Sequence, residues 1–242
     1  MKPLYKFAYQ PYKWLLVIPA LFLLTMGLGL VCTLTGMLFK SDAANVVAVF
    51  WSRLCCAIVP LKVRVRGRDN YSTGQSYVIV ANHQSMADIP VLHGFLGLNI
   101  KWIMKKELER VPIFSTACKR LGCIYVDRKN HEAALASIRD ARAHLSDKAS
   151  VLFFAEGTRS RDGRVMPFKK GAFRFAHETG LPILPVTIKN SMEILPSDSL
   201  DLIPGQVEVI VHAPVHVRET AETGLMTTLD RTRRTIAAPL ES

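Results

Sequence analysis

Tyr77-Val78-Ile79-Val80-Ala81-Asn82-His83-Gln84-Ser85-Met86-Ala87-Asp88 joins a short apolar run to a histidine and an aspartate that lie five positions apart. The apolar part is of the kind that forms a buried strand, and Asn82-His83 falls where that strand ends. Crevices at the carboxyl ends of strands are where α/β proteins keep their ligands and chemistry. Side chains on one helix meet at i+3 and i+4, so a separation of five requires the chain to turn between the two. With His83 on the turn, Asp88 near the start of the next helix and Pro90 early in that helix, the carboxylate folds back onto the imidazole. An aspartate bonded to one ring nitrogen fixes the tautomer and stabilises the imidazolium. The other nitrogen is then left to take a proton from a hydroxyl, which makes a general base without a covalent nucleophile. By itself such a pair is also a common surface or capping arrangement, and three later stretches bear on it.

Working outward, Leu61 to Arg66 alternates, with Val63 and Val65 on one face and Lys62, Arg64 and Arg66 on the other, the pattern of an exposed strand with a basic outer side. Gly67 through Ser76 is a turn-rich connection to the strand that ends at His83. A helix is predicted from about Pro90 to Leu98, followed by a strand at Trp102-Ile103-Met104 that delivers Lys105 and Lys106 to its end. A helix from Ile113 to Gly122 leads into Cys123-Ile124-Tyr125-Val126-Asp127-Arg128. Asn130 then caps a helix whose apolar positions Ala134, Leu135, Ile138, Ala141 and Leu145 recur at helical spacing. Val151 to Phe154 is a further buried strand. Phe168-Lys169-Lys170-Gly171 introduces a helix through Glu178, and Gly180 ends it. Ile183 to Ile188 reads as a strand interrupted by Pro185, with the proline shaping a turn and a strand edge. Val207 to Val211 supplies another strand, and the polar tail is helical around Leu225, Met226 and Leu229. This alternation predicts an α/β fold, a central mixed, mostly parallel sheet flanked by helices on both faces.

The first 60 residues are of a different character. Lys2, Lys6 and Lys13 precede an uncharged stretch from Trp14 to Phe39, which as a helix extends about 39 Å, enough for a hydrocarbon core of about 30 Å. It is too long and too poorly followed, by Ser41-Asp42-Ala43-Ala44, for a cleaved signal peptide. A second apolar stretch, from Ala43 to Val59, carries Arg53. Basic residues flank both ends of the pair, so a helical hairpin that enters and leaves on the cytoplasmic side fits best. A single crossing and a wholly interfacial helix pair remain the alternatives. The chain thus divides into membrane-anchoring helices over 1–60 and an α/β domain over 61–242.

The net charge of +11 and pI near 9.6 call for an anionic partner. A nucleic acid is disfavoured by the lack of helix-turn-helix, zinc-finger or aromatic-basic RNA signatures, which leaves an anionic membrane surface or a phosphorylated substrate. The five cysteines, Cys32, Cys55, Cys56, Cys118 and Cys123, form neither a disulfide framework nor a zinc spacing.

Glu156-Gly157-Thr158-Arg159 follows the strand at Val151 to Phe154 and has the properties of a phosphate and oxyanion site. A glycine lets its N–H approach a ligand closely, and an arginine holds a phosphate through two parallel hydrogen bonds. An ordinary polar turn is the competing reading. Lys105 and Arg128 at other strand ends add cations, and three cations near a His/Asp pair describe a pocket for an anionic substrate.

Four stretches in order resemble the motifs of the glycerolipid acyltransferase superfamily, and specifically of bacterial 1-acylglycerol-3-phosphate acyltransferases. They are Asn82-His83 with four intervening residues before Asp88, Gly122 to Arg128, Phe154-Ala155-Glu156-Gly157-Thr158-Arg159, and Leu181-Pro182-Ile183-Leu184-Pro185-Val186. The similarity covers Leu61 to His212, and Ala155 departs from the proline common before the glutamate.

The resemblance implies transfer of a fatty acyl group from acyl-coenzyme A or acyl carrier protein to the 2-hydroxyl of lysophosphatidic acid, giving phosphatidic acid. In that reaction His83 is the base, Asp88 orients it, Gly157 N–H is an oxyanion donor, and Arg159, Lys105 and Arg128 grip the phosphate. Glu156 braces the site or binds the glycerol part. No metal or redox cofactor is called for, since proton transfer, charge stabilisation and a thioester leaving group suffice. The implied location is the bacterial inner membrane, with membrane lipids as partners and the active site facing the cytoplasm. Ser85 as a nucleophile is disfavoured, because no nucleophile-elbow glycines surround it. Competing readings are glycerol-3-phosphate, another lysophospholipid or a lyso-aminolipid as acceptor, or a non-enzymatic protein that binds anionic membranes.

Overall fold

The computed structural model describes residues 2–39, 41–127, 148–217 and 222–241. Arg128 and the helix expected after Asn130 lie outside them.

Strand β2 (Val78–Ala81) is the centre of the fold. It pairs in parallel with β5 (Ala149–Phe154) on one side and with β6 (Ile183–Lys189) on the other. Beyond β5 lie β3 (Asn99–Lys105) and β4 (Ile124–Val126), both parallel to it, while β7 (Gly205–Val211) runs antiparallel to β6 and β1 (Leu61–Arg66) closes that edge parallel to β7. The spatial order among the described residues is β1-β7-β6-β2-β5-β3-β4. This is the expected mixed, mostly parallel sheet. The edge strand β1 shows the alternating exposure read from Leu61 to Arg66, and its outward Arg66 pairs with Glu208 at 2.6 Å.

Every residue of β2 is buried because both faces are covered. Ile79 and Ala81 enter a core shared with Val91 and Leu92 of helix α4 (Asp88–Phe95). Val78 and Val80 enter a second core with Phe173, Phe175 and Ala176 of the helix Gly171–Thr179 and Leu229 and Ile236 of the C-terminal helix Glu222–Glu241. Side chains alternate across a strand, so one apolar run serves two layers.

Pro185 does not interrupt its strand. β6 is an interior strand, and Pro185 keeps register with Val80. The β7 ladder starts only at Val186 opposite Val211, and the next pairing on that side is the bridge of Ile183 to Val215. Pro185 therefore stands at a gap in the ladder where its missing N–H leaves no acceptor stranded, and its carbonyl accepts the His212 N–H at 3.0 Å.

The N-terminal region is helical from Lys2, earlier than the apolar stretch predicts. Helix α1 (Lys2–Tyr12) passes through a π-turn at Lys13–Val17 into α2 (Ile18–Phe39), and α3 (Ser41–Ile58) returns against it. The continuous helical stretch Phe7–Phe39, which ends in α2, and α3 are each long and apolar enough to cross a membrane by length and composition. Neither stands apart from the sheet: Cys56 of α3 belongs to the same core as Ile79 and Leu92, and Ile18 and Leu21 of α2 pack against it. Arg53, anomalous in an apolar stretch, donates from Nε to the Gly94 carbonyl at the end of α4 at 2.9 Å. Lys13, expected as a flanking charge, is 3% exposed, and its ammonium donates to the Leu200 carbonyl at 3.0 Å.

Candidate active site

The turn after β2 ends as α4 begins at Asp88, with Pro90 at its third position. Asp88 is fully buried at the positive end of the helix. Its Oδ2 accepts the backbone N–H groups of Gln84 and Ser85 at 2.9 Å each and meets His83 Nδ1 at 2.8 Å. An ionised carboxylate only accepts, so the hydrogen-bond network assigns the imidazole proton to Nδ1, and Nε2 carries the lone pair. Among the described residues no hydrogen bond engages Nε2. The ring lies flat on Phe154, with centroids 3.7 Å apart and planes within 5°, so the imidazole cannot rotate without leaving the aromatic face. Ser85 is turned away from this chemistry: its hydroxyl donates to the Leu195 carbonyl at 2.8 Å and accepts the Ala87 N–H at 3.0 Å.

Glu156, just past β5, is buried, and its two oxygens hold two separate loops. Oε1 accepts the His83 N–H at 2.8 Å and Oε2 the Met166 N–H at 2.9 Å. The carboxyl is therefore a brace under the histidine's own backbone. Burial pushes its pKa up to about 7, outweighing the two N–H donors that favour the anion. Arg233 of the C-terminal helix holds the same loop through the carbonyls of Val165 and Met166 at 2.9 and 3.2 Å.

Gly157 has φ of +79°, in the left-handed region, which a glycine adopts without strain. Its N–H, the expected oxyanion donor, bonds to the Phe154 carbonyl at 3.0 Å and closes the turn. That bond must yield, or be shared, for the group to serve an oxyanion.

A cavity of about 850 Å³ opens beside this constellation. His83, Gly157, Arg159 and Lys105 line it, and among the described residues Arg159 and Lys105 are its cationic lining residues. The remainder of the wall is largely apolar and includes Leu28 of α2, Trp51 of α3, Trp102 of β3 and Phe114 of α5 (Phe114–Leu121). Residues from the first 60 and from the α/β layer thus build one chamber. The Lys105 ammonium also sits 3.4 Å from Glu107, and Arg159 pairs with Asp198 at 3.1 Å.

Two charged neighbours escape sequence reasoning. The Lys169 ammonium lies 2.8 Å from the point that a Cβ on Gly157 would occupy, placing a further cation against the Glu156-Gly157-Thr158-Arg159 turn. Its signal was the pair Lys169-Lys170 before a helix, which reads as an ordinary solvated start. Asp198 carries no local signal, since its partners Arg159 and Arg161 lie 39 and 37 positions away.

Residues 62–189 match the family model described as Acyltransferase. The chain is 35% identical over 181 residues to a chloroplast 1-acyl-sn-glycerol-3-phosphate acyltransferase of Brassica napus, covering 74% of this chain and 52% of that one. A 1-acyl-sn-glycerol-3-phosphate acyltransferase of Helicobacter pylori is 32% identical over 143 residues, or 59% of this chain and 60% of the relative. The chain spans about half the length of the plant relatives it matches. The crystal structure of the 1-acyl-sn-glycerophosphate (LPA) acyltransferase PlsC from Thermotoga maritima superposes with a TM-score of 0.80 at 25% identity, covering 96% of each chain.

Proposed function

Because the chain belongs to the Acyltransferase family, we propose that it transfers a fatty acyl group from a thioester, of coenzyme A or acyl carrier protein, to the 2-hydroxyl of 1-acylglycerol-3-phosphate, yielding phosphatidic acid. One observation carries this reading: an imidazole with its proton fixed on Nδ1 lines a largely apolar cavity that also bears the cations Arg159 and Lys105. An acyl chain asks for the apolar volume, a phosphate for the cations and a hydroxyl for the base. About 850 Å³ suits a long aliphatic chain, being toward the upper end of small-molecule pockets, which span roughly 300–1,000 Å³.

In this reading His83 Nε2 accepts the proton of the acceptor hydroxyl while its oxygen attacks the thioester carbonyl. The tetrahedral intermediate then collapses and expels the thiolate, which takes the proton back from the imidazolium. Asp88 stabilises that imidazolium and keeps the tautomer. Arg159 and Lys105 hold the acceptor phosphate, and Glu156 keeps the His83 backbone in place. Arg128 is a third candidate for the phosphate. Lys169, beside Gly157, favours the negative charge that develops there. No metal or redox group is needed for these steps.

The apolar N-terminus serves a substrate that resides in a bilayer. The reading puts the enzyme at the bacterial inner membrane with its site toward the cytoplasm. α2 runs past Ile113 at Gly29 and past Arg120 at Gly36, so α5, whose last turn carries Lys119 and Arg120, accompanies it over about 10 Å, at 1.5 Å per residue. A charge at the centre of a bilayer is costly, which favours a hairpin seated in one leaflet over a full crossing.

The deciding assay follows transfer from labelled acyl-coenzyme A and acyl carrier protein to lysophosphatidic acid by detergent-solubilised wild type and His83→Ala. The expected result is product from the wild type and a loss on the order of 10²–10⁴-fold in the variant, the usual worth of a general base. Equal product from both removes His83 from the mechanism, and no product from either rejects this acceptor.

A further inference from the structure

The connection at 195–204, between the short helix Ser191–Ile194 and β7, borders the site as a strap, with Leu195 and Leu202 lining the cavity. Ser197 Oγ lies within hydrogen-bond distance of the Gln84 carbonyl at 3.1 Å and the Ser160 carbonyl at 2.8 Å, the neighbours in sequence of His83 and Arg159. Ser85 Oγ holds Leu195, and the buried Lys13 holds Leu200. Between these anchors Asp198 adopts φ of +59°, a left-handed conformation that Asp and Asn tolerate better than other side chains. The strap thereby aims one carboxylate at two arginines. Oδ1 accepts from Arg159 Nη2 at 3.1 Å, and Oδ2 accepts from Arg161 Nη2 at 2.9 Å and Nε at 3.1 Å.

We propose that Asp198 is a positioning residue for recognition of the acceptor's phosphate, acting through Arg159. The proposal rests on the acyltransferase reading above and names the residue that prepares its phosphate contact. A guanidinium carries five N–H donors in a fixed fork, and Asp198 uses one Arg159 nitrogen, so the rest of the fork remains for a phosphate. An arginine free in solution loses rotamer freedom when it binds, whereas one already held at the cavity wall has less to lose. The carboxylate also opposes a phosphate by charge. That opposition is weakened in two ways: Arg161, which is 84% exposed and is not among the lining residues, supplies a compensating charge, and Asp198 is itself 53% exposed and screened by solvent. Ordering and repulsion predict opposite signs for the loss of Asp198, which makes the effect measurable.

The test uses full-length Asp198→Asn, which keeps the shape and the tolerance of a left-handed backbone while removing the charge. Acceptor KM, donor KM and kcat are measured with lysophosphatidic acid and with a phosphate-free monoacylglycerol. Calorimetric titration of each acceptor in mixed micelles reads affinity without turnover. The expected result is a rise of about 3- to 10-fold in KM and in dissociation constant for lysophosphatidic acid, with kcat within about twofold, donor KM unchanged and monoacylglycerol unaffected. In an Arg159→Ala background the same substitution changes nothing further, since the partner through which it acts is gone. A fall in acceptor KM overturns the proposal in favour of Asp198 competing for Arg159. Equal weakening of both acceptors, or no change, overturns it as well. A wild type that binds lysophosphatidic acid without turning it over loses the functional reading while the affinities still decide Asp198. A wild type that does not bind it loses both.

Discussion

Glu156 shows how a single side chain links stability to chemistry. Its carboxylate joins the His83 turn to the loop at Met166, and both N–H donors sit within 2.9 Å. Gln in its place has one acceptor oxygen and an amide nitrogen that would face the second N–H, so half of the brace becomes a repulsive contact. The pH dependence follows from its pKa, raised by burial to about 7 from an ordinary 4.5. Between those values the folded protein binds a proton that the unfolded chain releases. The stabilisation due to this group is therefore complete below pH 4.5 and lost as pH rises through 7. Thermal unfolding in detergent at pH 5 and pH 8 is expected to show wild type losing more stability across the window than Glu156→Gln, which has nothing there to titrate. Identical pH dependence in the two proteins would mean that the carboxyl titrates as an exposed one does.

The helical hairpin owes its seat on the domain to glycines with unequal duties. Gly36 of α2 faces α5, and a Cβ there would stand 2.6 Å from Arg120 Cβ and 3.4 Å from Ala44 Cβ, whereas a Cβ on Gly27 meets nothing within 4 Å. Alanine stabilises a helix interior over glycine by roughly 0.5–1 kcal/mol, and forcing a methyl into a packed contact costs about 1–3 kcal/mol. The two terms oppose each other at Gly36 and only the first acts at Gly27. Gly36→Ala is expected to be destabilised by about 0.5–2 kcal/mol relative to wild type, with Gly27→Ala neutral or slightly stabilised, as read by denaturant or thermal unfolding in micelles. Equal behaviour of the two would detach α2 from α5. The same contrast bears on what a sequence discloses about an element. The order of strands and helices in the α/β layer, and the Asp88 turn, were legible because each has a local cause: an apolar run, a left-handed glycine, a proline one turn in. Pro185 was misread as a strand edge because its place in the sheet depends on where a partner strand 25 residues later begins its ladder. Lys13 was misread as a flank because its acceptor lies 187 positions away.

At the scale of the whole molecule the proposed membrane attachment rests on two attractions, and they respond differently to salt. The net charge of +11 favours anionic headgroups, at about 1 kcal/mol for each well-placed Lys or Arg, but at 1 M salt the Debye length falls to about 3 Å and this term largely disappears. The apolar term does not disappear. Leu15, Leu16, Phe22, Leu23, Leu30 and Leu38 of the N-terminal helices are all more than half exposed in the absence of lipid. Each contributes about 1–2 kcal/mol on transfer out of water, roughly 10 kcal/mol in all. The proposed reading of the site as that of a lipid enzyme starts from His83, Asp88 and the strand-end cations, which a sequence displays. Which residues complete the chamber is not displayed in the same way, because α2 and α3 reach it by packing on the domain, chiefly on α4 and α5, a placement with no signature in either segment alone. If the hairpin is seated in the bilayer, as proposed, washing membranes with 1 M sodium chloride leaves nearly all of the protein in the pellet, and detergent releases it. Release by salt alone would assign the attachment to charge and leave the exposed apolar face of the hairpin without the lipid this reading gives it.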